Sequence, residues 1–161
     1  MNEARDDAGA TPVGERARIV DAVSAAGSAG RPNEDAWGHH GEVVWVIDGA
    51  TGLADTPLTD GPTDAAWLAT ATSEALAARA ESGERDPFVL LGLAAEDVAA
   101  RFERERLRAP EHRWEIPTAA VLVAVFRSDR VSVAELGDTR MYLAHADGAI
   151  ADVGGLATGR D

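Results

Sequence analysis

The sequence predicts an α+β domain built on antiparallel sheet with packed helices. Three observations carry that reading. Strand-like and helix-like segments are grouped along the chain rather than alternating. The C-terminal strand patterns are joined by short polar turns, as in hairpins. The 161 residues, 45% of them hydrophobic, suffice for the core of one domain.

The elements follow in order. Residues 1–14 (MNEARDDAGATPVG) have no apolar period and are expected to be a disordered N-terminal tail, with 15–161 forming the domain. Residues 16–25 (RARIVDAVSA) predict a first strand through Ile19, Val20 and Val23. Gly27, Ser28, Gly30 and Pro32 then mark a loop. Residues 42–47 (EVVWVI) hold an unbroken apolar run, which suits a central strand covered on both faces. The run stops at Asp48-Gly49, and a Gly/Pro/Asp/Thr-rich loop is expected over 49–62. Residues 63–82 predict a helix with Trp67, Leu68, Ala71, Ala75 and Leu76 on one face and Gly83 as its stop. Asp86 and Pro87 open a second helix as N-cap and first helical residue. Its apolar face is read as Leu91, Ala95, Val98 and Phe102. Arg104, Arg106 and Arg108 suit its C-terminal end, which is placed at Pro110. Residues 118–126 and 131–136 predict a hairpin around 127–130, and 139–145 with 149–153 a second around Ala146-Asp147-Gly148.

Composition excludes several classes. Acidic residues number 28 against 15 basic residues, all Arg, giving a net charge of −13. That balance speaks against nucleic-acid or anionic-membrane partners. There is no Cys, hence no disulfide, thiolate metal site or Cys nucleophile. No apolar run reaches the roughly 20 residues of a membrane-spanning helix. The acidic N-terminus is not a signal peptide, so a cytoplasmic location is the default.

Three elements carry chemistry. Asp48 follows the buried run directly, and an ionised carboxylate there needs a cation, an Arg or several N–H donors. Gly49, Ala50, Thr51 and Gly52 leave the backbone open to a ligand. Asp-Gly is also an ordinary turn pair. Upstream lie Glu34-Asp35, with Arg31 beside them. If these reach the same strand end as Asp48, they form an oxygen-rich site of the kind Mg²⁺ or Mn²⁺ prefers. The alternative is solvated loop carboxylates. The third element, Leu136-Gly137-Asp138-Thr139-Arg140, again puts an Asp after Gly at a strand end. His39-His40 reads as an exposed turn, and the four Trp residues as core or edge packing.

Taken in order, RPNED at 31–35, VIDGATG at 46–52, PTAAVLVAVF at 117–126 and ELGDTRMYL at 135–143 resemble the metal-dependent serine/threonine phosphatases of the PPM family (protein phosphatase type 2C). The resemblance spans about residues 16–150 and implies an incomplete version of that family's αββα sandwich. It implies that Asp48 bridges two catalytic Mn²⁺ or Mg²⁺ ions, and that Gly49 binds one through its carbonyl or a water. Glu34 and Asp35 match the acidic pair that ligates or supports the second ion. Arg31 matches the phosphate-binding Arg, and Asp138 the Asp near an accessory third metal. The implied reaction is hydrolysis of phosphoserine or phosphothreonine on a phosphoprotein substrate by a metal-bridging water.

The chain departs from the family pattern in three places. Arg31 lies one residue closer to the acidic pair than usual. Ala50 stands where many members have His. Residues 150–161 contain no counterpart of the later Ser-Asp-Gly and Asp-Asn motifs, which supply two more metal-binding carboxylates. Two divalent ions each take about six oxygen ligands, and Asp48, Glu34 and Asp35 suit one ion better than a close pair. The missing portion would leave sheet surface open to a signalling partner or to self-association. The expectations are therefore a phosphatase with an incomplete ligand set, a catalytically inactive phosphatase-like binding or regulatory module, or a fragment of a longer phosphatase.

Overall fold

The computed structural model describes residues 19–50 and 56–153. The expected tail over 1–14 lies outside them, as do residues 51–55 of the expected loop. The described chain forms β1 (Asp35–His40), β2 (Val43–Ala50), α1 (Asp64–Glu81), α2 (Pro87–Glu105), a 3₁₀ turn (Arg113–Glu115), β3 (Thr118–Phe126), β4 (Val131–Leu136), β5 (Met141–Ala144) and β6 (Ile150–Val153). Strands β1-β2-β3-β4 form one four-stranded sheet in that order, antiparallel throughout, and β5-β6 form a separate hairpin. The α+β reading with antiparallel sheets holds.

Alternation along β2 separates the faces of the sheet. Val43, Trp45, Ile47 and Gly49 are buried, whereas Val46, Asp48 and Ala50 are exposed. The buried set packs with Val121, Val123 and Val125 of β3 and with Ala69, Leu76 and Ala80 of α1 and Leu90, Leu91 and Ala94 of α2. The Trp45 indole donates from Nε1 to Ser73 Oγ at 2.9 Å, so its one polar atom is satisfied. Gly38 makes room for that ring, because a Cβ there would lie 2.6 Å from it. Helix α1 also packs on α2 through Trp67, Ala71 and Val98, with Phe102 edge-on to Trp67 at 5.8 Å.

Several expectations are corrected. Residues 19–25 form no strand, and Val20 and Val23 are each 84% exposed. Their apolar residues do not alternate, and among the described residues no strand pairs with them. The first strand among the described residues is β1 instead, whose sequence DAWGHH lacks β-branched residues. It forms because β2 offers a full antiparallel partner. His39 and His40 therefore belong to a strand, and the turn falls at Gly41-Glu42. Helix α2 has the expected cap, with Asp86 accepting from the Phe88 and Val89 amides. It ends at Glu105, not Pro110, where Arg106 turns extended and the Leu107 amide donates to the Leu58 carbonyl at 2.8 Å. A tertiary bond thus stops the helix before the proline does. Ala95 is exposed, and Leu90 and Ala94 take its place in the buried stripe. No helix among the described residues is long and apolar enough to cross a membrane.

Candidate metal centre

The register of the sheet puts two carboxylates side by side. Asp35 of β1 lies directly opposite Asp48 of β2. Opposed residues on antiparallel strands share a face, so both side chains leave the sheet away from the helices. Burial, then Asp48 opposite it with which it shares a carboxyl hydrogen bond, and Glu34 beside it push the Asp35 carboxyl above its ordinary range. A cation between these groups would relieve that repulsion.

Glu34 joins the pair from the loop entering β1. Its backbone carbonyl accepts from the Gly49 amide at 3.1 Å, stitching this loop to the end of β2. Its carboxylate Oε1 accepts from the Thr63 hydroxyl at 2.7 Å. Thr63 is the N-cap of α1, and its Oγ1 accepts from the Ala66 amide at 3.1 Å. The next residue, Asp64, anchors the loop before the helix. It accepts from the amides of Leu58 (3.0 Å) and Thr59 (2.8 Å) and from the Thr59 hydroxyl (2.7 Å).

Gly49 is required by close approach. A Cβ at this position would lie 2.9 Å from the Ala65 carbonyl oxygen and closer still to that of Glu34. The start of α1, the entry to β1 and the end of β2 meet here with no room for a side chain.

These residues line one cleft of about 650 Å³, together with Ser28, Arg31 and Asn33. Of the residues singled out in the sequence, Arg31, Glu34, Asp35, Asp48 and Gly49 are brought together. Asp138 is not among the lining residues. It follows β4, and Gly137 beside it packs on Ala120, the β3 partner of Asp48. Asp138 thus follows the strand two places from β2 in the sheet. Its neighbour Thr139 lines, with Asp35, Asp48, Trp37 and Val46, an adjoining cleft of about 250 Å³. Thr139 Oγ1 is buried without a hydrogen-bond partner among the described residues.

Sequence reasoning missed Thr63 and Thr139 as site residues. The available signals were a Thr immediately before an acidic first helical residue, and a hydroxyl beside Asp138. Glu111, His112 and Glu115 also bring ligand atoms within 4.8 Å of one another. There, however, Arg108 donates to Glu115 at 2.6 Å and already supplies the positive charge.

The donor set suits a hard divalent cation. It is all oxygen, it converges on one cleft, and it contains a carboxyl destabilised by its like-charged neighbours.

Comparisons with known proteins bear on the family and the fold. The family model described as Protein phosphatase 2C matches residues 24–160. The crystal structure of the Mycobacterium tuberculosis serine/threonine phosphatase PstP/Ppp matches with a TM-score of 0.58 at 21% identity, covering 83% of this chain and 52% of that chain. A structure of the catalytic domain of PstP in complex with two manganese ions matches with a TM-score of 0.58 at 20% identity, covering 82% and 53%. The chain thus spans about half the length of these solved relatives. No curated protein matches it.

Proposed function

The chain belongs to the protein phosphatase 2C family, and we propose that it hydrolyses phosphoserine and phosphothreonine on proteins, using a divalent cation held by Asp48, Asp35 and Glu34. The observation that carries the reading is the in-register Asp35–Asp48 pair with Glu34 converging on the same cleft. Mn²⁺ or Mg²⁺, when bound, supplies Lewis-acid chemistry, activating water and offsetting charge on the phosphoryl oxygens.

The protein's own groups do the rest. Asp48, on the exposed face of a strand whose other face is buried against the helices, is held by the sheet in one place. Asp35 is set beside it by strand register, and Glu34 by its bonds to β2 and α1. The absence of a side chain at Gly49 lets the entry to β1 and the start of α1 close on the end of β2, which sets Glu34 beside Asp48 in the cleft. Arg31 lines the same cleft, and its planar guanidinium suits two phosphate oxygens at once. It also offsets the repulsion a phosphorylated substrate meets from a protein of net charge −13. Asp138, one segment further out, is assigned to an accessory cation.

A relative holds two manganese ions, whereas the three carboxylates gathered among the described residues suit one ion. A second reading is a phosphatase-like binding module without turnover. Mn²⁺-dependent hydrolysis of p-nitrophenyl phosphate and of a phosphothreonine peptide separates the two. The phosphatase reading expects metal-dependent turnover that falls to the metal-free background in Asp48→Ala. Turnover no greater than that variant's overturns it.

A further inference from the structure

We infer that Thr63 is a positioning residue, which aims the Glu34 carboxylate at the cation cleft by tying it to the N-terminus of α1. The inference rests on the reading of Glu34 as a cation ligand.

A Thr hydroxyl has one proton to give and lone pairs to receive. The Ala66 amide donates to Oγ1, which satisfies one of the open amides at the start of α1. The hydroxyl proton is then directed to Glu34 Oε1 at 2.7 Å. One side chain thus caps the helix and fixes a carboxylate 29 residues away in sequence. A bond from a neutral donor to an ionised acceptor is short and strong. It consumes only one of the roughly four acceptor sites of a carboxylate, so it orients the group without competing for a cation.

The backbone of Glu34 is held as well, through its carbonyl and the Gly49 amide. Without the hydroxyl, the main chain of Glu34 remains fixed while its long side chain loses a bond that aims it. Partners that orient a ligand in this way typically govern metal affinity by about 10- to 100-fold. Thr63 itself lines the cleft, so the bond lies at the site.

The two duties of Thr63 separate by substitution. Gly is nearly as good an N-cap as Thr but has no hydroxyl, Ala is a poor cap without one, and Ser retains both functions. The test is calorimetric Mn²⁺ titration of the full chain as wild type, Thr63→Ser, Thr63→Gly, Thr63→Ala and Asp48→Asn, with thermal unfolding of each without metal.

The positioning role expects Thr63→Gly and Thr63→Ala to lose Mn²⁺ affinity alike, by about tenfold, and Thr63→Ser to stay within about twofold of wild type. Unfolding should rank differently, with Thr63→Gly close to wild type and Thr63→Ala lower. If Thr63→Gly binds Mn²⁺ as wild type does while Asp48→Asn does not, Thr63 is only a cap and the assignment falls alone. If wild type binds no better than Asp48→Asn, the cation reading of the cleft falls and the assignment with it.

Discussion

Strand β2 carries two opposite solutions on its two faces. Toward the helices, Val43, Trp45 and Ile47 are almost fully buried, and the one polar atom of Trp45 is bonded to Ser73. On the other face the strand carries Asp48, set against Asp35 and near Glu34, with the Asp35 carboxyl pushed up by burial and by these neighbours. On the helix-facing side of β2 the one polar side-chain atom is satisfied by protein. The far side gathers like charges whose natural complement is a cation from solution. Stability and ligand binding are thereby assigned to alternate residues of a single strand, and substitutions one position apart should separate them.

The largest effect is expected on the buried side. Trp45→Ala should cost about 3–5 kcal/mol, as deletion of a large aromatic core residue does, and should leave Ser73 without its partner. Urea unfolding measures this, and a loss under about 1 kcal/mol would mean that the helix-facing core is not what holds the sheet. Next comes the junction of the two sides. Gly49→Ala forces a methyl group against two backbone carbonyls and should cost about 1–3 kcal/mol, together with a loss of Mn²⁺ affinity. A stable variant with intact binding would show that the close approach is dispensable.

On the acidic side the sign reverses. Asp48→Asn removes one of the clustered charges and should leave metal-free stability unchanged or raised by under about 1 kcal/mol, measured at low ionic strength. A marked loss would make Asp48 a structural residue. The smallest effect lies away from both faces. Arg108 beside Glu115, followed by a bond from the Glu111 amide, holds the Glu115 carboxyl below its ordinary value of 4.5. A lowered carboxyl stabilises the fold above that ordinary value and loses this stabilisation as pH falls through the lowered one. The stability difference between wild type and Glu115→Gln should therefore be constant above about pH 5 and shrink below it. A pH-independent difference would contradict the pairing.

The sequence displays this division unevenly. The place of Asp48 directly after a strand-forming apolar run was legible, and α2 was legible because Asp86-Pro87 is a local start signal. Strand β1 was not, since its existence depends on β2 as a partner and its own residues have weak strand preference. The segment 19–25 departs from its expected strand for the converse reason, having apolar residues without a partner strand among the described residues. That Glu34, Asp35 and Asp48 converge was anticipated only as a condition, which the strand register fulfils. The Thr63–Glu34 bond joins residues 29 positions apart and has no local signature. Asp138 was correctly read at a strand end, but its distance from Asp48 is set by the order of strands across the sheet, which periodicity does not encode.

The central claim is that the Asp35–Asp48–Glu34 cleft is a cation site built on a sheet stabilised from its other face. Thermal unfolding with increasing Mn²⁺, for wild type and Asp48→Asn, tests it most directly. Wild type should gain stability with metal concentration, by about 2.7 kcal/mol at a hundredfold excess over Kd, while Asp48→Asn should gain little although it is at least as stable without metal. Equal stabilisation of both proteins, or of neither, would contradict the account.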